Sequence, residues 1–263
     1  MIDDKSANPQ DRDRMRQAAE LLLKARRTGN PIDELPEALR PHTQEEAYAL
    51  QDTIAEALGA IGGWKIGVPN PQATPLFGPM PLMGGFARSG DTLAEDYRRL
   101  RGLEAEIAFR FGRDLPVRPQ PYSREEVLAA IESCHPAIEV LESGFTDPDK
   151  VDRLSMIGDL QMNGGFVYGE SLPHWRDIDF GAEGVTISVD GAVRVEARGS
   201  CGAGSDLVHL LVWLANEGQY RTGGLNAGDW VTTGSWTGKT MAEAHSEAVV
   251  HFEHFGSVSI RFA

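Results

Sequence analysis

Residues 103–109 read Leu-Glu-Ala-Glu-Ile-Ala-Phe, and no other stretch constrains the chain as tightly. In an extended strand successive side chains point to opposite sides, so 103, 105, 107 and 109 share one apolar face. Glu104 and Glu106 then share the other, held about 7 Å apart along the strand. The segment needs a sheet with an apolar layer against one side. Its other side carries two like charges, which a solvated polar face would tolerate with mild repulsion.

A third carboxylate lies in a different setting. Glu139 sits within residues 136–141 (PAIEVL), a run apolar enough to predict a buried strand, where an unpaired carboxylate is costly. It calls for a cation. Arg or Lys could supply one in a salt bridge. So could an ion, because three carboxylates completed by water and substrate oxygens suit the octahedral preference of Mg²⁺ or Mn²⁺. Lys65, in Gly-Gly-Trp-Lys-Ile-Gly, is flanked by aromatic and apolar residues. It either snorkels to solvent or works in a pocket, where desolvation could make it a proton-transfer group. Residues 234–238 (GSWTG) follow a predicted strand. Their hydroxyls and N–H groups either cradle a substrate carboxylate or simply end the strand in a turn.

Composition narrows the function classes. The 25 Lys and Arg stand against 39 Asp and Glu, a net charge of −14. The densest basic stretches, residues 12–27 and 98–101, are short, and the longer one is interrupted by acidic residues, so no nucleic-acid or anionic-membrane surface is expected. With 41% hydrophobic and 24% charged residues the chain suits a packed core. The longest apolar stretch, 207–215, is broken by His209 and falls short of the ~20 residues of a membrane span. The first fifteen residues lack the apolar centre of a secretory signal, and the expected compartment is the cytoplasm. Cys134 and Cys201 have no CxxC spacing, which argues against a disulfide scaffold or thiolate zinc site. The chain also lacks GxGxxG, Walker A, HExxH and GxSxG signatures.

Periodicity predicts a first helix, capped at Asn8-Pro9, carrying Ala18, Leu22 and Ala25 to Gly29. Thr43 and Glu46 form a capping-box pattern before Ala47, Leu50, Ile54 and Leu58, with Gly62-Gly63 as the expected stop. A third helix follows Ser123 and Glu126 and carries Val127, Leu128 and Ile131; a fourth spans about 205–216. Strands are predicted at 64–68, 103–109, 137–141, 165–168, 185–189, 230–233, 248–252 and 258–262. Helices thus lead and strands follow. That order implies an α+β class with a mixed or antiparallel sheet closing into a roll or sandwich surrounded by helices. A single domain over 1–263 is expected, its helical segment 10–60 packed on a β-rich core. The Pro-rich residues 69–81 are expected to form a surface loop or lid.

In this order GWKIG, LEAEIAF, AIEVLES, GGFVYG, NAGDWVTTGSWTG and FGSVSIRF resemble the 2-keto-4-pentenoate hydratase and 4-oxalocrotonate decarboxylase family of the fumarylacetoacetate hydrolase superfamily. The likeness covers most of residues 15–263. It implies a fumarylacetoacetate hydrolase-like fold, a Mg²⁺ or Mn²⁺ site on Glu104, Glu106 and Glu139, an active-site lysine at Lys65, and Ser235 and Thr237 near the substrate. Where many hydratases carry an Asp-Asn-Ala-Ser-Ser-like stretch, this chain reads Asp159-Leu160-Gln161-Met162-Asn163, which puts Asn163 in place of a substrate-facing serine. Residues 68–85 contain no Asp or Glu, so the acidic residue of that loop is missing. The implied activity is hydration of 2-hydroxypenta-2,4-dienoate or a related dienoate to a 4-hydroxy-2-keto acid, as in meta-cleavage catabolism of aromatics. A 4-oxalocrotonate-type decarboxylase and a non-catalytic partner of a hydratase–decarboxylase complex are the alternatives. Homo-oligomers, pentamers or decamers, are the implied assembly.

Overall fold

A computed structural model describes residues 9–94 and 99–263. The expected cap Asn8 and Arg98 of the second basic stretch lie outside the described residues. Helix α1 (Pro9–Thr28) turns Met15, Ala18, Ala19, Leu22 and Leu23 against Leu50, Ile54 and Ala55 of α2 (Gln44–Ala57), in a satellite core that also takes Phe145 and Leu160. Thr43 caps α2 by accepting the Glu46 N–H at 3.2 Å. The Glu46 carboxylate reaches one residue further back than expected and accepts the His42 N–H at 2.7 Å.

The glycine pair does not end α2. Gly62 and Gly63 lie inside strand β1 (Ile61–Gly67), while Gly59, at φ 99°, makes the turn. A Cβ on Gly63 would sit 2.1 Å from the Trp230 carbonyl oxygen, so these glycines let strands approach rather than break a helix. The Pro-rich segment is likewise not all loop. Residues 76–81 form β2 (Leu76–Pro81), which pairs antiparallel with β1 and is largely buried. Phe77 anchors it among Tyr48, Trp64 and Trp213, and its edge position accommodates Pro79 and Pro81, which cannot donate to a ladder.

Short strands β3 (Phe86–Arg88) and β4 (Thr92–Leu93) precede β5 (Gly102–Phe111), the predicted alternating strand, and β6 (Leu115–Pro116). Helix α3 (Arg124–Ala130) carries the complete Ser123/Glu126 capping box and passes directly into β7 (Ile131–Leu141), so Ile131 belongs to the strand. A six-residue helix, α4 (Arg153–Gly158), capped by Asp152, was not anticipated; it leads to β8 (Asn163–Tyr168). The hairpin β9 (Gly184–Val189) and β10 (Ala192–Arg198) turns at Asp190-Gly191, both at positive φ. β10 escapes pattern reading because it is an exposed edge strand without a buried face. Helices α5 (Val208–Asn216) and α6 (Gln219–Thr222) then give way to β11 (Gly224–Leu225), β12 (Trp230–Thr232), β13 (Thr240–Met241), β14 (Glu247–Phe252) and β15 (Gly256–Phe262).

The larger sheet runs β2-β1-β12-β5-β7-β8-β3, with β13 added to β5; a second runs β10-β9-β14-β15-β4, and β11 pairs β6. The expected separation of helices first and strands second fails, because β1, β2, β3, β5, β7 and β8 all precede residue 170. Mixed pairing holds: β1–β12 and β3–β8 are parallel, and β5–β7 antiparallel. Leu103, Ala105, Ile107 and Phe109 enter the main core with Ile187, Val250, Val258 and Ile260 of the second sheet, filling the space between the layers. The opposite face of the larger sheet carries the glutamates beside a smaller apolar cluster of Met80, Ala108, Ala137, Phe166 and Trp230.

Candidate metal centre

The register of β5 against β7 builds the site. Glu104 pairs directly with Glu139, and Glu106 with Ala137, so the period of two turns all three carboxylates to one face. One oxygen from each lies within 4.8 Å of the others. Glu106 is 1% exposed, Glu139 is fully buried, and Glu104 is half-buried.

Lys65 reaches this face from β1. It is the register partner of Thr232 on β12, which in turn faces Ala108 on β5. Its Nζ lies 2.5 Å from Glu139 Oε1 and donates to the Gln161 carbonyl at 3.0 Å. Asn163 Nδ2 donates to the same glutamate oxygen at 2.9 Å. On the other side Thr232 Oγ1 donates to Glu106 Oε2, joined by the Gly234 N–H at 3.1 Å. Glu139 Oε2 is buried with no hydrogen-bond partner among the described residues.

The electrostatics of the cluster follow from three carboxylates sharing one buried space. Burial and the Glu139 charge push Glu104 up to about 7, against the help of Lys65 and Lys239. Burial, then Glu139 and Glu104, drive Glu106 well above the ordinary carboxylate range despite Lys65 and the Thr232 hydroxyl. Lys65 does not become the weakened amine that desolvation alone would make. Burial opposes its charge, yet Glu139, Glu104 and Glu106 together outweigh burial and hold the ammonium above its ordinary value. One ammonium cannot balance three carboxylates. A divalent cation can, and the orphaned Glu139 oxygen and all-oxygen donor set fit a hard ion such as Mg²⁺ or Mn²⁺.

The Gln161 carbonyl owes its direction to an unusual backbone. Leu160, Gln161 and Met162 have φ of 56°, 49° and 66°, three consecutive non-glycine residues in the left-handed region. Such conformations cost about 1–2 kcal/mol per residue, so the surroundings must enforce them.

The structure thus brings Glu104, Glu106, Glu139, Lys65 and Asn163 together. The 234–238 loop starts at the cluster through Gly234 and runs back along β5, where the Trp236 N–H bonds Ala105 O at 2.9 Å. The hydroxyls of Ser235 and Thr237 donate to Gly238 O at 3.3 and 3.1 Å, which places them at the rim, turned onto their own loop. Trp64, Phe77 and Trp236 pack into the main core. Thr232 and the Gln161 carbonyl were invisible in the sequence, and the N–H of Gly234, expected to face substrate or end a turn, is instead given to Glu106. Only the register and the left-handed turn reveal them.

No family model matches the chain. Among solved structures, one from Pseudomonas putida G7, 4-oxalocrotonate decarboxylase complexed with magnesium and adipate, superposes with a TM-score of 0.80 over 96% of this chain and 98% of its own, at 23% identity. A protein assigned to the fumarylacetoacetate hydrolase family from Yersinia pestis CO92 superposes with a TM-score of 0.54 over 76% of this chain and 91% of its own, at 15% identity. The fold is therefore fumarylacetoacetate hydrolase-like and of the α+β class. In sequence the chain is 29% identical to 2-keto-4-pentenoate hydratase 2 of Dechloromonas aromatica strain RCB over 262 residues, covering 94% of this chain and 96% of that protein. It is 26% identical to 2-keto-4-pentenoate hydratase of Paraburkholderia xenovorans strain LB400 over 269 residues, 97% of this chain and 96% of that one. The resemblance to 2-keto-4-pentenoate hydratases therefore extends over nearly the whole length.

Proposed function

We propose that this chain is a lyase, a divalent-metal-dependent hydratase that converts 2-hydroxypenta-2,4-dienoate or a close analogue to a 4-hydroxy-2-keto acid. The observation that carries this reading is the convergence of Glu104, Glu106 and Glu139 with Lys65 seated on Glu139, in a chain similar throughout to hydratases. Held by the three carboxylates, Mg²⁺ or Mn²⁺ would supply Lewis acidity toward the carboxylate and 2-oxygen of such a substrate.

The rest is the work of the chain's own residues. Ketonisation of the dienol moves a proton from the 2-hydroxyl to C5, and water then adds across C3 and C4, with the hydroxyl at C4. Lys65, held as an ammonium at Nζ, is placed to deliver a proton and to recover one from water. Asn163 and Lys65 fix Glu139 through Oε1, leaving Oε2 free to ligate. Thr232 and the Gly234 N–H fix Glu106 in the same way. Ser235 and Thr237 stand at the rim, where a modest rotation of either hydroxyl frees it for a substrate carboxylate.

The test is the loss of dienol ultraviolet absorbance on adding purified protein with Mg²⁺, with Mn²⁺ and with EDTA. Metal-dependent decay to the 4-hydroxy-2-keto acid supports the reading. CO₂ release from 2-oxo-3-hexenedioate, with the dienoate untouched, favours the decarboxylase instead, a reading supported by a 27% identity over 140 residues to 4-oxalocrotonate decarboxylase of Pseudomonas putida.

Among the described residues no helix is long and apolar enough to cross a membrane. We take the cytoplasm as the compartment, supported by two buried free thiols, Cys134 and Cys201. We take residues 1–263 as one unit, because Arg26 of the N-terminal helix reaches the edge of the site. The proposed assembly is a homo-oligomer of five or ten copies, with a decarboxylase as its proposed partner. Exposed Leu82 and Met83 are candidates for its contacts, and light scattering tests it.

A further inference from the structure

Arg26 stands in the last turn of α1, yet its side chain is only 9% exposed and its guanidinium makes four hydrogen bonds around the left-handed turn. Nε donates to Asp159 Oδ1 at 2.7 Å and Nη1 to Asn163 O at 2.9 Å. Nη2 donates to Asp159 O at 2.9 Å and to Glu142 O at 3.1 Å. The carbonyls of Asp159 and Asn163 are those immediately before and after residues 160–162, so one planar fork holds both ends of the turn. Asp159 is fixed from the other side, where its Oδ2 accepts from Ser143 Oγ at 2.6 Å and from the Gly144 N–H at 2.8 Å, just beyond the strand that carries Glu139.

We propose that Arg26 is a positioning residue for the metal centre: by clamping Asp159 and Asn163 it enforces the left-handed turn that aims the Gln161 carbonyl at Lys65 and the Asn163 amide at Glu139. L-residues do not hold three successive positive φ values unaided. Released from the fork, the turn relaxes toward ordinary backbone, the Gln161 carbonyl swings off Lys65, and Glu139 Oε1 loses the Asn163 donor. Groups behind a ligand set its orientation, and losing them commonly costs about 10–100-fold in metal affinity or activity. A lysine at 26 would keep the charge beside Asp159 but could not span both carbonyls.

This inference rests on the metal-centre reading above, so its first readout needs no substrate. Mn²⁺ affinity is measured by calorimetry for wild type, Arg26→Lys, Arg26→Ala and Arg26→Ala/Gln161→Gly, each checked for folding by circular dichroism. Melting temperatures, and kcat and KM on the dienoate, accompany it. Arg26→Ala is expected to weaken Mn²⁺ about tenfold or more and to lower kcat more than it raises KM, with Arg26→Lys moving in the same direction. Glycine takes positive φ freely, so Gln161→Gly in the Arg26→Ala background is expected to recover several-fold in affinity and kcat without restoring the lost melting temperature. A merely structural arginine would give the reverse, a lower melting temperature with unchanged affinity. Mn²⁺ affinity and kcat within twofold of wild type in folded Arg26→Ala or Arg26→Lys, or a double variant no better than the single one, overturns the proposal. The affinity arm decides for or against Arg26 even where the dienoate proves not to be the substrate.

Discussion

Glu104 and Glu139 face each other as direct partners across the antiparallel ladder of β5 and β7. Opposed like charges destabilise a sheet, and burial strengthens the repulsion between these two by removing the water that would screen it. The strand pair is an arrangement that folding alone disfavours and that a bound dication makes favourable.

Replacing Glu104 separates stability from function. With the Glu104 carboxyl raised to about 7 by burial and Glu139, its ionised form costs about 3 kcal/mol. Glu104→Gln removes that charge. In EDTA at pH 8 its melting temperature should exceed that of wild type, while Mg²⁺ affinity falls at least tenfold by calorimetry. A variant that melts lower in EDTA and keeps its affinity contradicts the metal centre.

The same shifts set a pH dependence. Glu104 and Glu106 are raised in the folded state, so folding favours their protonated forms. Both contributions are fully present below the ordinary carboxylate range near 4.5; that of Glu104 is lost as pH climbs through about 7, and that of Glu106 is also lost well above the ordinary range. Metal-free protein should therefore melt progressively lower from pH 5 to pH 8. Mg²⁺ displaces these protons, so the rise in melting temperature it gives should grow over the same interval. Parallel melts in EDTA and in Mg²⁺ check both slopes.

Lys65→Ala removes a cation from beside the ligands and one proton carrier from the site. Metal affinity should stay within a few-fold of wild type, because the lost hold on Glu139 is offset by removing a positive charge beside the cation, while kcat falls about 10²–10⁴-fold, the usual contribution of a positioned acid or base. Loss of metal binding in this variant would instead make the hold on Glu139 the lysine's main role.

Gly63→Ala tests the close approach of β1 to β12. The new Cβ would meet Trp230 O at 2.1 Å, so the strands must part. A loss of about 1–3 kcal/mol is expected from overpacking, read as a lower denaturation midpoint in urea. Because Lys65 lies two residues along the same strand, kcat should fall with it.

Much of the site could be read before the fold was known, for a local reason. The alternation of residues 103–109 puts Glu104 and Glu106 on one face whatever the sheet's order, and the apolar run around Glu139 marks a carboxylate that solvent cannot satisfy. Thr43 and Ser123 likewise declared their helices through bonds spanning three residues. Residues 76–81 were harder. Their prolines read as loop, and only the edge position beside β1 makes them a strand.

The sequence by itself determined which side chains share a face, where two helices begin, and that a buried Glu139 would need a cation. Tertiary structure decided the rest: Glu104 opposite Glu139 rather than one residue out of register, Lys65 arriving from a strand two places away, and a left-handed turn pinned by Arg26. Periodicity and capping act within a few residues and leave a trace in the pattern. Register, enforced positive φ and the balance that keeps Lys65 charged arise from contacts such as Lys65 with Glu139 and Arg26 with Asp159, 74 and 133 residues apart, which no local pattern encodes.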